Sequence, residues 1–222
     1  MNVVWLHGSG LSGATWAGFG GMAPDLPGHG SAPRAASPTV ESFADALMPQ
    51  LPDQMHLVGH SLGGMVALEL AARLKERIRS LVTIEAVPTV HISRSARITA
   101  QIALWLFRRL GPGGVARLSG LGQPPEAAAH IKPQIAAMSR DRMEDALTAA
   151  FAYDGRPRLA DVTAPALVIV GKNNRQTHVG AQLMAEQLPN ATFEIMPGGH
   201  ILHIEAPDAL RTRITQFQEA HP

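Results

Sequence analysis

A serine set between glycines, Ser61, is the residue of this chain best suited to nucleophilic chemistry. It stands at the centre of residues 59–63, whose sequence is Gly-His-Ser-Leu-Gly. The apolar run at 55–58 predicts a buried strand before it, and residues 64–72 predict a helix after it. A serine at such a sharp turn from strand to helix projects its hydroxyl away from the sheet, and the glycines allow the backbones to approach closely. The context predicts a catalytic serine.

Two other segments supply groups that a serine nucleophile needs. Residues 7–10, HGSG, directly follow the first predicted strand. A glycine-rich loop there can aim the backbone N–H of Ser9 at a developing oxyanion, with the N–H of Leu62 as the second donor. His200 follows two glycines after the last predicted strand, where it can reach Ser61 as a general base.

Short apolar runs alternate with helical patterns, which predicts an α/β fold with a mostly parallel sheet flanked by helices. The predicted strands are residues 3–6, a short one ending near Met22, 55–58, 81–84, 166–170 and 192–196. The predicted helices are residues 40–50, 62–75, 180–187 and 208–219. Catalytic groups of such folds gather at the carboxyl edge of the sheet.

The middle of the chain has a different pattern. No strand is evident between residues 87 and 155, and Gly-Pro-Gly-Gly at 111–114 and Pro-Pro at 124–125 divide this segment into helices. We therefore expect one core formed by residues 1–86 and 156–222, with a helical cap inserted at 87–155.

This cap segment has an uneven distribution of charge. It has no Asp or Glu between Ala86 and Pro125, but it contains Arg94, Arg97, Arg108, Arg109 and Arg117. Five apolar residues fall at helical spacing, and they are Ile98, Ile102, Trp105, Leu106 and Leu110. We expect this apolar face to pack on the core with the arginines in water. The alternatives are an acyl pocket with a basic rim that favours carboxylated or phosphorylated substrates, and transient membrane contact by a basic amphipathic helix.

Composition narrows the range of functions. The chain has 222 residues, 45% hydrophobic and 17% charged, which is typical of a globular protein. A net charge of +1 gives no electrostatic case for binding nucleic acid. The absence of cysteine excludes disulfides, thiolate catalysis and cysteine metal sites, and it fits a reducing compartment. With no signal-peptide pattern at the N-terminus, a cytoplasmic location is expected.

The sequence contains no pattern that indicates membrane insertion, metal binding or nucleotide binding. No uninterrupted apolar stretch reaches about 18 residues, so we expect no stable membrane insertion. The ten histidines form no metal-ligand motif, and the glycine-rich loop at 7–13 lacks the lysine of a phosphate loop. We expect no metal and no cofactor. The sequence leaves the oligomeric state open.

The chain resembles members of the α/β-hydrolase superfamily, in the group of small serine esterases with a helical cap. Four motifs carry the resemblance, and they are HGSG at 7–10, DLPGHG at 25–30, GHSLGG at 59–64 and GGH at 198–200. The resemblance covers nearly the whole chain apart from the cap. The chain begins at a segment that resembles the family's third strand. The resemblance implies acyl transfer to water through an acyl-enzyme, and the chain order serine, acid, histidine.

The expected acid position departs from the family pattern. The family's acid usually stands three residues after the glycine that closes the penultimate strand, which here is Gly171, and this position holds Asn174. An amide carries no negative charge to stabilise an imidazolium, and such a replacement can lower kcat by about 10⁴.

Glu85 is the candidate acid. It follows the predicted strand 81–84 at the carboxyl edge, it precedes the histidine in the chain, and some branches of the family carry their acid there. Asp154 and Asp161 are weaker candidates, since both precede the next strand.

The sequence thus predicts a serine hydrolase that cleaves a carboxylic ester or thioester of a small molecule, with Ser61, His200 and Glu85 as catalytic residues. His60, beside the nucleophile, and Trp105, in the cap, are candidate substrate-binding residues. Two alternatives stay open. One is a lyase for carbon–carbon or elimination chemistry on the same fold. The other is a weakly catalytic or non-catalytic ligand-binding protein, which Asn174 suggests.

Overall fold

A computed structural model describes residues 2–92 and 94–222. Met1 and Ser93, which fall in the predicted core and cap, lie outside the described residues. The five strands are β1 (Val3–Leu6), β2 (Met55–His60), β3 (Ile78–Ile84), β4 (Ala166–Gly171) and β5 (Ala191–Met196). They lie side by side in chain order and pair in parallel throughout. The predicted α/β fold with a parallel sheet is confirmed.

Helices separate and follow these strands. They are α1 (Val40–Leu47), α2 (Leu62–Leu74), α3 (Arg94–Ser119), α4 (Pro125–Ala137), α5 (Arg140–Ala152), α6 (Arg175–Gln187), α7 (Leu202–Glu205) and α8 (Pro207–Glu219). Helix α3 bends at Gly111, whose φ of 65° lies outside the helical range. Helix α6 begins five residues before its predicted start, because its first turn is polar and shows no apolar periodicity. No helix in the described ranges is long and apolar enough to cross a membrane.

The predicted strand near Met22 is wrong. Met22 makes one isolated bridge beside β1, in which its N–H donates to Val3 and its carbonyl accepts from Trp5, both at 2.8 Å. The pairing stops there because Gly20 and Gly21 have positive φ angles before it. Such glycine conformations do not continue an extended strand.

Alternate residues of the buried strands supply two separate core layers, as the period of a strand requires. Leu57, Leu81 and Val168 join the apolar cluster that contains residues of α1, α2 and α6. Val58, Val82 and Ile169 point to the other face, where the cluster contains residues of α8 and two buried tryptophans. The sheet therefore holds its carboxyl edge rigidly between two layers.

A third apolar cluster joins the helices between β3 and β4 to loops at the carboxyl edge. It includes Val115 of α3, Ile131 of α4, Met143 of α5, and Leu11 and Ile201 from the core loops. These helices therefore cover the edge at which the predicted catalytic residues converge.

The expectation that the apolar stripe of the cap packs on the core is wrong. Its residues are exposed, with Ile98 at 49%, Ile102 at 60%, Trp105 at 56%, Leu106 at 39% and Leu110 at 42%. Leu104 and Phe107, on the other side of α3, pack against the third cluster instead. Apolar periodicity could not choose between the two sides, because this helix carries apolar residues on both.

Candidate active site

The predicted nucleophile lies on a strained turn. Ser61 joins β2 to α2 with φ 52° and ψ −119°, a conformation that residues with a Cβ rarely adopt. Its N–H donates to the carbonyl of Ile84 at 2.9 Å. The flanking glycines are sterically required, because a Cβ on Gly59 would collide with the backbone of Gly63, and one on Gly63 would collide with the carbonyl of Leu6. Strain of this kind costs about 1–3 kcal/mol and is concentrated at functional sites.

The candidate acid lies at the end of the neighbouring strand. Strands β2 and β3 pair His60 with Ile84, so Ser61 and Glu85 follow paired residues at the same edge. Glu85 also has a φ of 52°, and its N–H donates to the carbonyl of Ile169 at 2.9 Å. Its side chain is buried, with the residue 2% exposed.

Hydrogen-bond donors surround the carboxylate of Glu85. Oε1 accepts from the N–H of Gly171, and Oε2 accepts from the hydroxyl of Thr177 at 2.6 Å and from the amide of Asn174 at 2.6 Å. Oε2 also lies 3.6 Å from Nδ1 of His200. Burial raises the pKa of Glu85, but the nearby imidazole of His200, with the hydrogen bonds from Thr177 and Gly171, holds it below its ordinary value. The carboxylate is therefore ionised at neutral pH.

Asn174 occupies the position where the family pattern predicts the acid. Its amide nitrogen lies 2.6 Å from Oε2 of Glu85 and 3.0 Å from Nδ1 of His200. An ionised carboxylate only accepts hydrogen bonds, so the nitrogen of this amide, and not its oxygen, faces Glu85. The residue thus supplies a donor to the carboxylate instead of a second negative charge.

The loop that carries the candidate base is held by a second carboxylate. His200 follows β5, and its side chain is 30% exposed. The carboxylate of Glu205 accepts from the N–H groups of Gly199 at 2.7 Å and Ile201 at 3.1 Å, on both sides of the histidine. Nε2 of His60 lies 2.8 Å from the carbonyl of His200. These contacts fix the backbone and leave the imidazole side chain beside Glu85.

Sequence reasoning missed Thr177 and Glu205. Thr177 reaches Glu85 only because the first turn of α6 lies against the end of β3, a contact between residues 92 positions apart. Glu205 follows its histidine by five residues, and this spacing carries no recognised signal. Only the GGH motif before it marked the loop.

The predicted oxyanion donors lie at the expected edge. Ser9 lines the same cavity as Ser61, and Leu62 is the first residue of α2. The N–H groups of the first helical turn have no carbonyl partner within the helix, and the helix dipole places partial positive charge there. Ser9 and Leu62 therefore stay the predicted N–H donors to a reacting carbonyl.

His7 fixes the loop of the predicted oxyanion hole. Its Nε2 accepts from the N–H of Leu26 at 2.9 Å, so its Nδ1 carries the proton and donates to the carbonyl of Gly8 at 2.8 Å. Burial, together with the nearby His29, lowers the pKa of His7 to about 3. The ring is therefore neutral, and it joins the HGSG and DLPGHG loops.

Asp25 makes a second connection between these loops. Its carboxylate accepts from the N–H of Gly13 at 2.8 Å and from the N–H of Ser31 at 2.9 Å. Asp25 and His7 thus hold the HGSG and DLPGHG loops against each other.

A cavity of about 430 Å³ lies between these loops and the helices above them. Ser61, His200 and Asn174 line one part of it. The rest is mainly apolar, formed by Leu11, Phe107, Val115, Leu118, Leu121, Ile131, Ile135, Met143, Leu147 and Ile201. No Asp, Glu, Lys or Arg among the described residues lines it, so the suggested basic rim is not part of the wall.

The two candidate substrate-binding residues differ in their placement. His60 lines the cavity and is 1% exposed. Burial lowers its pKa well below the ordinary value, with added effects of His203 and His200. Trp105 does not line the cavity, because it lies on the outer side of α3, where the guanidinium of Arg109 stands 5.3 Å from its ring centre. The assignment of Trp105 to substrate binding is therefore corrected.

Further histidines lie behind the cavity. The hydroxyl of Thr15 lies 2.8 Å from Nε2 of both His130 and His203, and the ring of His203 is 4.8 Å from that of His60. Burial, together with the nearby His130, lowers the pKa of His203 to about 3. Within residues 2–92 and 94–222, no three His, Asp or Glu side chains are grouped to hold a metal ion.

Comparison with known proteins agrees with this architecture. A sequence model of the alpha/beta hydrolase family matches residues 3–213. The chain belongs to this family, which confirms the resemblance inferred from its four motifs.

Curated relatives add a more specific similarity. A pimeloyl-(acyl-carrier protein) methyl ester esterase from Aromatoleum aromaticum is 44% identical over 95 residues, which cover 39% of this chain and 38% of that protein. An esterase of the same name from Nitrosomonas europaea is 28% identical over 244 residues, covering 93% of this chain and 91% of the relative. Among the first curated relatives that it matches, the chain spans 38 to 44% of their length.

Solved structures show the same fold. An esterase from Exiguobacterium antarcticum superposes with a TM-score of 0.86 over 99% of this chain and 92% of the other. At 17% sequence identity, this similarity concerns the fold alone.

Proposed function

We propose that this protein is a serine hydrolase that cleaves a carboxylic ester through an acyl-enzyme on Ser61. One observation carries the proposal. Ser61 and the ionised Glu85 follow paired residues of adjacent strands, His200 lies against Glu85, and an apolar cavity opens over Ser61. Nucleophile, base and orienting acid are the parts that activate a serine in acyl transfer.

The mechanism assigns one role to each group. His200 accepts the proton of the Ser61 hydroxyl as the oxygen attacks the ester carbonyl, and the N–H groups of Ser9 and Leu62 stabilise the oxyanion. Glu85 orients the imidazole and stabilises its positive charge. The alcohol leaves with a proton from His200, and water then cleaves the acyl-enzyme with the same residue as base.

The lining of the cavity favours a substrate whose acyl group is apolar and carries no charge next to the ester. Among the described residues, no Asp, Glu, Lys or Arg lines the cavity, so a free carboxylate inside it would lose hydration without gaining an ion pair. The names of the curated relatives describe methyl ester esterases that act on an acyl chain attached to a carrier protein. Both a small-molecule ester and a carrier-bound ester fit this hydrolysis of an apolar acyl ester. A thioester is a further substrate to test.

Residues 87–155 act as the cap in this proposal. Their helices supply Phe107, Ile131 and Met143 to the cavity, so they define the space available to the acyl chain. The cytoplasmic location expected from the sequence stays a prediction.

A second candidate function is ligand binding without turnover. It is supported by the amide at position 174, whose nitrogen lies 3.0 Å from Nδ1 of His200 and so competes with Glu85 for that atom. A protein of this kind would bind acyl esters in the cavity and leave them intact.

Hydrolysis of p-nitrophenyl esters from acetate to decanoate separates the two functions. The wild type should release p-nitrophenol, and Ser61→Ala should reduce the rate to background. A fluorophosphonate probe should label the wild type and not the variant. Ester binding with equal background rates in both proteins would overturn the hydrolase proposal and favour the binding function.

A further inference from the structure

The outer side of α3 is an apolar face that no part of the described chain covers. Its residues are Ile98, Ile102, Trp105, Leu106 and Leu110, each between 39 and 60% exposed. We call this set the outer face. At 3.6 residues per turn these side chains span an arc of about 140°. Monomeric proteins rarely leave so many large apolar side chains together in water.

Positive charge accompanies the outer face. Arg109 stands within the arc, where its guanidinium lies over the ring of Trp105. By the same helical spacing, Arg108 and Arg97 fall about 60° and 80° beyond the border of the arc. Arg108 pairs with Glu144 at 3.0 Å, whereas the segment between Ala86 and Pro125 contains no acidic residue. The side chain of Arg94 lies outside the described residues. The face therefore combines apolar contact with a local excess of positive charge.

This combination disfavours a second copy of the chain as the occupant. A two-fold symmetric contact centred on the outer face would bring Arg109 of one copy, and the other residues at its centre, close to the same residues of the other copy. The face offers no acidic side chain of its own to pair with these arginines. The occupant must supply both negative charge and an apolar environment.

We propose that the outer face of α3 docks on the surface of a membrane that contains anionic lipid. A helix with one apolar side, a tryptophan and flanking arginines lies in the plane of such an interface, with the apolar side chains among the acyl chains and the arginines near the headgroups. Phe107, on the opposite side of the same helix, lines the cavity. Docking would thus hold the cavity about 10 Å from the lipid, the thickness of one helix.

Binding to vesicles tests this directly. The full chain is mixed with vesicles of phosphatidylglycerol and phosphatidylcholine, or of phosphatidylcholine alone, and bound protein is measured by sedimentation. Anionic vesicles should bind the protein, and added salt should release it. Since an arginine contributes about 1 kcal/mol near such a surface, Arg109→Gln should weaken binding about fivefold.

Tryptophan fluorescence reports where the contact lies. Trp5 and Trp16 are each 3% exposed, whereas Trp105 is 56% exposed. Emission should shift to shorter wavelength on anionic vesicles, and lipids brominated on their acyl chains should quench it. Trp105→Phe should lose both signals and still sediment with the vesicles.

A matched pair of variants locates the apolar contribution. Ile102→Gln/Leu106→Gln should abolish sedimentation, while Val179→Gln, an equally exposed apolar position on α6, should not. Thermal melting and circular dichroism establish that all variants fold. These assays need no turnover, so a failure of the proposed hydrolysis would leave them valid.

Three results would overturn the proposal. The first is no binding to anionic vesicles at low salt. The second is binding that both variants of the outer face retain in full. The third is a dimer in sedimentation velocity, or a complex with an acidic acyl carrier protein, that the same variants abolish while vesicles do not bind.

Discussion

Nδ1 of His200 lies 3.6 Å from Oε2 of Glu85, at the limit of a direct charge-assisted contact. The amide of Asn174 lies against both atoms and donates to the same carboxylate oxygen. Two positions that alternate as acid sites within the family pattern are thus occupied together here, one by a carboxylate and one by an amide. Two ionised carboxylates at these positions would repel each other, whereas the amide of Asn174 donates a hydrogen bond to Glu85. Only one of the two positions can therefore be ionised without repulsion.

Exchange of these two groups tests the assignment of the acid. Glu85→Gln should lower kcat for p-nitrophenyl ester hydrolysis by about 10³–10⁴, because His200 loses the negative charge that stabilises its protonated form. Glu85→Gln/Asn174→Asp should recover part of this loss, since an amide and a carboxylate are again paired. A nearly silent Glu85→Gln would show that the acid is another group.

The single variant Asn174→Asp completes this cycle. It places two carboxylates within hydrogen-bond distance, so one of them retains a proton and its pKa rises. Whenever both carboxylates are ionised, the added negative charge favours the protonated form of His200, so activity should begin to decline at a higher pH than in the wild type as pH is lowered. An unchanged pH–rate profile would indicate that the introduced carboxylate is oriented away from Glu85.

Ser61→Gly should stabilise the fold and abolish turnover. Glycine adopts the φ of 52° without the steric penalty of a Cβ, although its greater freedom in the unfolded chain offsets part of the gain. A net gain of about 1 kcal/mol corresponds to a rise in Tm of about 2–4 °C for a chain of this size. Ser61→Ala is the control, since it removes the hydroxyl and keeps the Cβ. Equal melting temperatures for the two variants would contradict the strain argument.

The cavity wall should set the preferred chain length. Met143→Trp fills space opposite the catalytic loops, so kcat/KM for the decanoate ester should fall about tenfold more than for the acetate ester. Trp105→Ala, on the outer side of α3, should leave the chain-length profile unchanged. A uniform loss for short and long esters in Met143→Trp would place the acyl chain elsewhere.

Buried neutral histidines should make the protein sensitive to mild acid. The pKa of His203 in the folded protein is about 3, against 6.5 for an ordinary histidine. Below about pH 6.5 the unfolded state binds more protons, so the free energy of unfolding falls as pH falls, by about 1.4 kcal/mol per pH unit for each such histidine. This loss continues until the folded pKa is reached.

Urea unfolding at several pH values between about 7.5 and 5 measures this effect. His203→Gln should reduce the slope of the free energy of unfolding against pH by the contribution of one histidine, about 1.4 kcal/mol per pH unit. This change in slope does not depend on how the substitution affects stability at neutral pH. Parallel slopes in the two proteins would show that His203 titrates normally.

The sequence predicted the sheet and the site loops because both depend on local patterns. Buried strands such as 55–58 and 166–170 are continuous apolar runs, and glycines stand next to Ser61 after β2 and next to His200 after β5. Parallel strands bring such loops to one edge whatever their separation along the chain. Glu85 followed from the same rule, since it ends the strand beside the nucleophile.

The parts that could not be predicted depend on contacts between distant residues. The donor from Thr177 to Glu85 exists only when α6 packs beside β3. The orientation of α3 was misassigned because Phe107 and Trp105 lie on opposite sides of one helix that is apolar on both. Periodicity shows that a helix has an apolar side, but tertiary packing selects the side that is buried.

The left-handed backbone of Ser61 has a practical consequence for laboratory evolution. Variant libraries sorted only by heat resistance or by soluble expression would enrich glycine at this turn and discard the nucleophile, because these selections reward relief of the local conformation. Directed improvement of this protein must therefore couple every round of selection to product formation. Gains in robustness should be sought at positions such as the exposed Val179, far from the turn.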